Sequence, residues 1–339
     1  LDRPAGLTVF PDFIGIGAQK AGTTWLHRNL QAHPEIWMPK EKELHYFNKR
    51  INEPSGLSKM LGDTTEARHW RKRVQKRLHR QKERLSPREA LWDLKYYLQT
   101  PNDEWYASLF KPGEDKTAGE ITPAYSMLDR DMVSRVHGLM PNAKIIFFMR
   151  NPLERAWSQA VMHFNSLNGY EIEQVPADKL RRHFDRSGSR VRTDYLRTLA
   201  NWGSLYPEDQ IFVGFLEDIY FLPMDLLRSV FSFLSVDSSF EPPGVDQRIH
   251  SRSAGEVPLE HMVYLAHSYH DELTRLAERF GGYAKFWLYC AERLIDYPPA
   301  EEKILYPLWR SKIWDEWPER PRPSRLRSGS LPFVQSAAG

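Results

Sequence analysis

Apolar and polar positions near the start of the chain predict a short strand followed by a helix. The run DFIGIG at residues 12–17 is mostly apolar and of strand length, so it predicts a buried strand. Beyond Gly22, the apolar residues Trp25, Leu26 and Leu30 recur at helical spacing. The residues between these elements therefore predict a tight turn from the end of a strand into a helix.

Two further strands are predicted downstream. The continuous apolar run AKIIFFMR at 143–150 is typical of a parallel sheet covered on both faces, and the helix after it begins at Pro152, a favoured first position. The run QIFVGFLEDI at 210–219 follows a helical stretch at 193–205 and a YPED turn. Strands that alternate with helices predict an α/β, three-layer fold with a central parallel sheet.

A strongly basic segment separates the first two units. Residues 66–92 are predicted to form a helical insertion, in which nine Lys or Arg residues from Arg68 to Arg84 are accompanied by a single acid, Glu83. A thin apolar stripe follows helical spacing along it: Trp70, Val74 and Leu78. Two interpretations remain open, a solvated surface helix and a surface that binds an acidic partner.

The composition changes near residue 289. We interpret residues 1–288 as one domain and residues 289–339 as a C-terminal extension. From about residue 318 the sequence is proline-rich, basic and finally low in complexity, which is typical of a poorly ordered tail.

Composition narrows the classes of protein that fit. With 339 residues, 41% of them hydrophobic, the chain can bury a sizeable core. Its net charge of +3 fits an anionic ligand, but it does not argue for nucleic acid, and the basic segment lacks interleaved stacking aromatics. The single cysteine, Cys290, excludes an internal disulfide, and no metal site is predicted. No apolar run is long enough to span a bilayer, so we expect a cytoplasmic location, with the lumenal domain of a trimmed, membrane-anchored enzyme as the alternative.

The loop after the first strand carries the first candidate chemistry. Gly17 and Gly22 have the G-x-x-x-x-G spacing of a nucleotide-triphosphate loop, but Thr23 stands in the position of its lysine and Lys20 lies inside the turn. Backbone N–H groups in such a turn attract anions, because the first helical amides lack partners and the helix dipole adds positive potential. The hydroxyls of Thr23 and Thr24 add donors. The loop predicts a P-loop-like phosphate site, and the alternative is an ordinary tight turn.

The second strand ends at Arg150, at the carboxyl edge of the predicted sheet, where open α/β sheets bind ligands. Ser158 follows two helical turns later. An arginine and a serine in these positions can hold a second phosphate. Taken separately, Arg150 also fits a structural ion pair and Ser158 a surface position.

These two segments together resemble the sulfotransferases that use 3′-phosphoadenosine 5′-phosphosulfate (PAPS). GAQKAGTTWL resembles their 5′-phosphosulfate loop, and IIFFMRNPLERAWSQAVMHF resembles their 3′-phosphate-binding strand and helix. HPEIWMPKEKELHYFNK resembles the branch that contains the heparan sulfate sulfotransferases and many bacterial carbohydrate enzymes. Weaker matches extend the likeness over about residues 12–285: EWYASLF, GEITPAYS and YLRTLANWGSLYPEDQIFVGFLEDI.

The resemblance implies roles for the donor-site residues. Lys20 would stabilise the charge that grows on the leaving phosphate. Arg150 and Ser158 would bind the 3′-phosphate, and Trp25 is expected either near the adenine or in the core. The rest of the loop would bind the 5′-phosphosulfate: Gln19, Ala21, Gly22, Thr23 and Thr24.

Two stretches depart from the heparan sulfate branch. Ile121 in GEITPAY stands where that branch usually has Lys, which removes a cationic contact. The loop DQRIHSRSA at 246–254 lacks the lysine- and glycine-rich sequence of the branch but offers Arg248 and Arg252. These two arginines either close over the 3′-phosphate or belong to a solvated basic loop.

An acceptor hydroxyl needs a general base near the sulfur. The resemblance assigns this role to Glu43 in KELHYF, with His45 as the second candidate. If the segment is extended, alternation places both side chains on one face. The resemblance also puts Glu120 and Tyr125 of GEITPAYS among the substrate-binding residues.

The resulting interpretation is an enzyme that transfers the sulfuryl group of PAPS to a hydroxyl by in-line displacement and releases 3′-phosphoadenosine 5′-phosphate (PAP). A glycan acceptor is expected from the branch resemblance, with a lipid, a polyketide-type hydroxyl or a carrier-bound small molecule as alternatives. The alternative functions are a kinase-like phosphotransferase and a non-catalytic nucleotide- or anion-binding protein. Thr23 in place of the loop lysine argues against the first, and the retained Lys20 and Glu43 argue against the second.

Overall fold

A parallel sheet forms the centre of the structure, which is a computed structural model describing residues 9–51, 53–80, 87–167, 169, 171–245 and 255–319. Within these residues the sheet has five strands: β1 (Phe13–Gly17), β2 (Ile36–Trp37), β3 (Thr117–Ile121), β4 (Lys144–Met149) and β5 (Ile211–Phe215). Their order is β2-β3-β1-β4-β5, and all pairings are parallel. The predicted α/β fold with a central parallel sheet is confirmed.

The strand order reverses at β1. This strand lies between β3 and β4, with Phe13 aligned with Gly119 on one side and with Lys144 on the other. All of β1 is buried, and Ile145–Met149 have no exposed surface, as expected where a parallel sheet is covered on both faces. The carboxyl end of β1 is therefore a topological switch point, the position at which open α/β sheets bind ligands.

Helices connect the strands. Those before β4 are α1 (Thr23–Ala32), α2 (Gly56–Leu61), α3 (Thr65–Arg80), α4 (Pro87–Leu98), α5 (Asp103–Ser108) and α6 (Arg130–Leu139). Those between β4 and β5 are α7 (Pro152–Val161), α8 (Ala177–Phe184), α9 (Ser187–Thr193) and α10 (Tyr195–Gly203). Those after β5 are α11 (Leu216–Phe221), α12 (Pro223–Leu234), α13 (Leu259–Phe280), α14 (Gly282–Asp296) and α15 (Lys312–Glu316). Among the described helices, none combines the length and the apolar character needed to cross a bilayer.

Two predicted elements have different bounds in the structure. The strand predicted at 210–219 stops at Phe215, because α11 begins at the next residue with Glu217 and Asp218 in its first turn, where acids interact favourably with the helix dipole. The helical stretch predicted at 193–205 is divided at Asp194, whose side chain accepts from the amide of Arg197 and caps α10.

The predicted C-terminal extension packs on the same core as far as the structure describes it. The expected boundary at 288/289 falls inside α14, whose residues Trp287 and Cys290 have no exposed surface. After α14, β7 (Lys303–Leu305) pairs antiparallel with β6 (Glu256–Pro258), which precedes α13. Further core residues follow: Leu308, Trp309, Ile313 and Trp317. The tail predicted from about 318 lies almost wholly outside the described residues.

Candidate active site

The loop between β1 and α1 leads from the centre of the sheet into a helix N-terminus. Lys20 (φ 74°) and Gly22 (φ 85°) both have left-handed backbone conformations. Glycine is favoured at 22 because side chains rarely adopt a φ of 85°, and a Cβ there would in addition lie 2.2 Å from Cδ1 of Ile219. The amide of Ala18 donates to the carbonyl of Phe148 (2.6 Å), which attaches the loop to β4.

The start of α1 fits a phosphate group. Gly22 caps this helix without a side-chain hydrogen bond, and the first turn contains no acid. The first amides of a helix have no intrahelical acceptors, so an anion can bind them and is favoured by the helix dipole. The predicted loop residues differ in burial: Gln19, Lys20 and Thr24 are partly exposed, whereas Ala21 and Thr23 are buried.

Arg150 joins this loop to the second predicted phosphate site. It follows β4, is 8% exposed, and donates from Nη1 to the carbonyl oxygen of Lys20 at 3.1 Å. Nη2 and Nε donate to Oε2 of Glu154 (2.9 and 3.3 Å), and Nη2 also donates to the hydroxyl of Tyr306. Of the five N–H donors of a guanidinium, one on Nη1 thus has no partner within the described part of the chain. Arg150 therefore forms a structural ion pair and still keeps a donor for an anion.

Ser158 lies on the same helix face as Glu154, one turn further along α7, and is partly exposed. The side chain of Asn151 accepts from the amide of Leu153 at 3.0 Å and so fixes the start of α7 directly after β4. Arg150 and Ser158 are thereby brought to the same edge of the sheet as the loop after β1.

Glu43 and His45 are in contact, although the backbone between them is not extended. Both residues have left-handed conformations (φ 65° and 57°). Nevertheless, Nε2 of His45 lies 3.3 Å from Oε2 of Glu43, and Nζ of Lys42 donates to Oε1 of Glu43 at 2.8 Å. Burial alone would raise the pKa of Glu43, but the hydrogen bonds and charges of His45 and Lys42 outweigh it and lower this pKa to about 2. Glu43 is therefore ionised at neutral pH.

Glu120 fixes the backbone of residues 43–46, here called the Glu43 segment, and explains its conformation. It is 1% exposed, and burial raises its pKa. Its carboxylate accepts hydrogen bonds from four groups: the hydroxyls of Tyr106 (2.7 Å), Thr122 (2.7 Å) and Tyr125 (2.9 Å) and the amide of Leu44 (3.3 Å). The Tyr125 hydroxyl in turn accepts from the amide of Tyr46 at 3.0 Å. Amides 44 and 46 thus both bond into the core, which holds the chain away from a strand conformation.

Glu120 and Tyr125 were expected among the substrate-binding residues, but their position fits a different role. Both are buried, and their polar atoms bond to the chain itself. Ile121, the residue next to Glu120, is 1% exposed and fills the space above Gly15, where a Cβ would lie 2.7 Å from its Cγ1. We therefore assign Glu120 and Tyr125 to positioning the Glu43 segment.

The predicted helical insertion lies beside the Glu43 segment. The hydroxyl of Tyr97, on α4, donates to Oε1 of Glu41 at 2.9 Å, and Lys40 forms an ion pair with Glu89 of the same helix. The insertion therefore flanks the candidate base.

Three residues predicted at the donor site are not brought to it by described contacts. Trp25 is 4% exposed and its Nε1 donates to the carbonyl of Val245 at 2.8 Å, which favours the core alternative. Arg248 and Arg252 lie outside the residues that the structure describes.

Three contacts at the site were not predicted from the sequence. Arg150 is bonded by Glu154 and Tyr306, and Glu43 is bonded by Lys42. Glu154 stands four residues after Arg150, the spacing of a helical ion pair, so a signal for it was present. Lys42 precedes Glu43 directly. Tyr306 lies 156 residues from Arg150 and carries no motif, so only the fold reveals their contact.

Comparison with known proteins identifies the family and the fold. A sequence model described as "Sulfotransferase family" matches residues 11–242, more than half of the chain. The membrane-associated sulfotransferase kil1 of Dictyostelium discoideum is 29% identical over 163 residues, 47% of this chain, and the match spans only 24% of that relative. A solved sulfotransferase from Alicyclobacillus acidocaldarius shares the fold with a TM-score of 0.53 and 22% identity, over 80% of this chain and 95% of that one.

Proposed function

The chain belongs to the sulfotransferase family, and on that premise we propose that it transfers the sulfuryl group of PAPS to an acceptor hydroxyl. The observation that carries the proposal is the 3.1 Å hydrogen bond from Arg150 to the carbonyl of Lys20. Through it, the loop after β1 and the end of β4 form one continuous site with an anion-binding group in each half. A donor with a 5′-phosphosulfate and a separate 3′-phosphate presents two anions that suit these halves.

Each half has its own task. The donor supplies a sulfuryl group and a phosphate that leaves with negative charge. Gly22 and the first amides of α1 bind the 5′-phosphate oxygens, and the Lys20 ammonium stabilises the charge that develops there. Arg150 and Ser158 bind the 3′-phosphate, and the remaining Nη1 donor of Arg150 makes a charge-assisted hydrogen bond to it.

Glu43 accepts the proton of the acceptor hydroxyl. Its pKa of about 2 keeps it ionised, and His45 and Lys42 hold its two oxygens in a fixed direction. To accept the proton, the carboxylate must give up one of these contacts, and the oxygen facing His45 (3.3 Å) is the more weakly held. His45 remains the second candidate, with its Nε2 lying 3.3 Å from Oε2 of Glu43. In both arrangements Glu120 and Tyr125, which bond to the amides of residues 44 and 46, set the position of the base.

The acceptor follows from the branch resemblance, which favours a carbohydrate hydroxyl over a lipid or a carrier-bound small molecule. The helix α4 contacts Glu41 and Lys40 beside the Glu43 segment, and the basic α3 packs on α4 through Trp70 and Tyr97, so an acidic glycan is the acceptor class that the charge of α3 complements. Transfer of radiolabelled sulfate from PAPS to glycan, lipid and carrier-bound acceptors, tested side by side, identifies the class. Incorporation only into a lipid or a carrier-bound acceptor would contradict the carbohydrate assignment.

The donor assignment is tested by ligand-induced stabilisation. A ligand that binds only the folded protein raises the melting temperature by mass action. PAP should therefore give a clearly larger shift than ATP with magnesium at the same concentration. A larger shift with ATP, or none with PAP, would overturn the proposed donor.

A further inference from the structure

A C-terminal segment outside the region matched by the family, residues 303–310, lies against the donor site. β7 pairs with β6, and the amide of Tyr306 donates to the carbonyl of Gly255 at 2.9 Å. Leu308 has no exposed surface, and Trp309 packs on Tyr220 with ring centroids 5.0 Å apart. The segment is thus a fixed part of the fold on both sides of Tyr306.

Tyr306 directs its phenol to the two residues proposed to bind the 3′-phosphate. Its hydroxyl accepts from Nη2 of Arg150, whose guanidinium lies 5.4 Å from the centre of the Tyr306 ring. Burial raises the pKa of Tyr306 to about 12, and this rise is reduced by the positive charge of Arg150 and by a hydrogen bond from Ser158. The phenol is therefore neutral, keeps its proton, and stays partly exposed to solvent.

Glu154 holds Tyr306 beside Arg150. Its Oε2 accepts from Nη2 of Arg150 at 2.9 Å, and its Oε1 accepts from the amide of Leu308 at 2.8 Å. A single carboxylate with no exposed surface thus holds both the guanidinium and the chain two residues beyond Tyr306. The phenol cannot move away from Arg150 unless these buried bonds break.

We propose that the Tyr306 hydroxyl is a third side-chain ligand of the 3′-phosphate and makes the C-terminal segment part of the donor specificity of the enzyme. The hydroxyl oxygen already accepts from the Arg150 guanidinium, and the phenol also hydrogen-bonds with Ser158, so the three side chains meet at one place. An O–H group polarised in this way is a strengthened donor, and an anion bound by Arg150 and Ser158 lies within its reach. The inference rests on the proposed PAPS donor.

The test compares PAP with adenosine 5′-phosphosulfate, which lacks the 3′-phosphate, by isothermal titration calorimetry. Tyr306→Phe removes only the hydroxyl, and we expect it to raise the Kd for PAP by about 10-fold, the effect of one hydrogen bond to a charged group, with adenosine 5′-phosphosulfate binding unchanged. Tyr297→Phe, the same change at a position 72% exposed, is the matched control and should alter neither Kd.

A second background separates direct contact from support of Arg150. In an Arg150→Lys protein the Tyr306–guanidinium bond is already absent, so Tyr306→Phe should still weaken PAP binding several-fold if the hydroxyl touches the phosphate. No further loss there would mean that Tyr306 acts only through Arg150 and would overturn the proposal.

Other outcomes are equally decisive. Equal weakening of both ligands, unchanged PAP binding, or tighter PAP binding in Tyr306→Phe would each overturn the proposal while leaving the PAPS donor intact. A wild-type protein that does not prefer PAP to adenosine 5′-phosphosulfate would instead overturn the donor assignment, and this inference with it.

Discussion

Replacing Glu43 by Gln should remove catalysis and leave both donor binding and folding intact. The Glu43 side chain is 38% exposed, and its carboxylate contacts Lys42 at 2.8 Å and His45 at 3.3 Å. Glutamine has the same shape and keeps one oxygen to accept from Lys42. Because partly exposed ion pairs contribute only about 0–1 kcal/mol to stability, the melting temperature should change little.

The size of the kinetic effect follows from the role of a general base. Removing such a base typically costs about 10²–10⁴-fold, and the loss should appear in kcat for sulfate transfer while the Kd for PAP stays near the wild-type value. The control is Glu41→Gln, because Glu41 lies two residues away and its carboxylate accepts from the hydroxyl of Tyr97. A kcat within about 3-fold of wild type for Glu43→Gln, well below the loss expected for a base, would refute the assignment.

The pH profile separates Glu43 from His45 as the base. The active form of a carboxylate base is the deprotonated one, so with the pKa of Glu43 lowered to about 2 the rate should stay level down to about pH 4. A typical imidazole base would give an acidic limb near ~6.5. Lys42→Met removes one of the groups that lower the Glu43 pKa, so it should move the acidic limb upwards. A limb that does not respond to this change, together with an inactive His45→Ala, would identify His45 as the base.

Three further predictions concern other parts of the molecule. Lys20→Ala should reduce both PAP affinity and kcat, the latter more strongly, because the ammonium acts on charge that grows during transfer; equal losses in binding and turnover would contradict this. Burial raises the pKa of Glu217 to about 8, so the folded protein holds a proton that the unfolded chain releases, and stability is lost as pH rises from about 4.5 to about 8. Glu217→Gln, which keeps an acceptor for Trp287, should flatten this loss in urea unfolding at pH 5 and pH 8. Reversing the exposed charges Arg68 and Lys72 should raise the KM of an acidic acceptor at low salt and leave PAP binding unchanged, because such charges act over about a Debye length of ~10 Å.

Short-range sequence patterns predicted the strands and the helix that form the proposed donor site. The strand, loop and helix around Gly22 and the strand that ends at Arg150 depend on short-range patterns, an apolar run, a helical spacing and turn residues, and all appear where expected. The strand predicted at 210–219 is too long, because apolar character alone does not separate a strand end from the first turn of a buried helix. Glu217 and Asp218 were the available signal for that boundary.

The geometry of the Glu43 segment could not be predicted, since it depends on residues far away in the sequence. Its left-handed turns are held by Glu120 and Tyr125, which lie more than 70 residues away. A pattern of alternating residues carries no information about such bonds. Glu43 and His45 were expected on one face only if the segment were extended; the backbone is not extended, and the two side chains are nevertheless in contact.

The position of the loop lysine has a physical consequence for donor selectivity. Lys20 lies inside the turn with a left-handed backbone, and this conformation presents its carbonyl to Arg150 at 3.1 Å. Its charge is proposed to act on the 5′ side of the site, whereas its carbonyl bonds to the guanidinium proposed for the 3′ side. A lysine at position 23, the first residue of α1, would leave the turn without this side chain and move the charge onto the helix. Because one residue touches both halves, an anion that orders the turn also fixes Arg150, and an anion at Arg150 stabilises the turn. By linkage, each phosphate should therefore strengthen the binding of the other, so a donor that carries both is bound better than the separate contacts would predict.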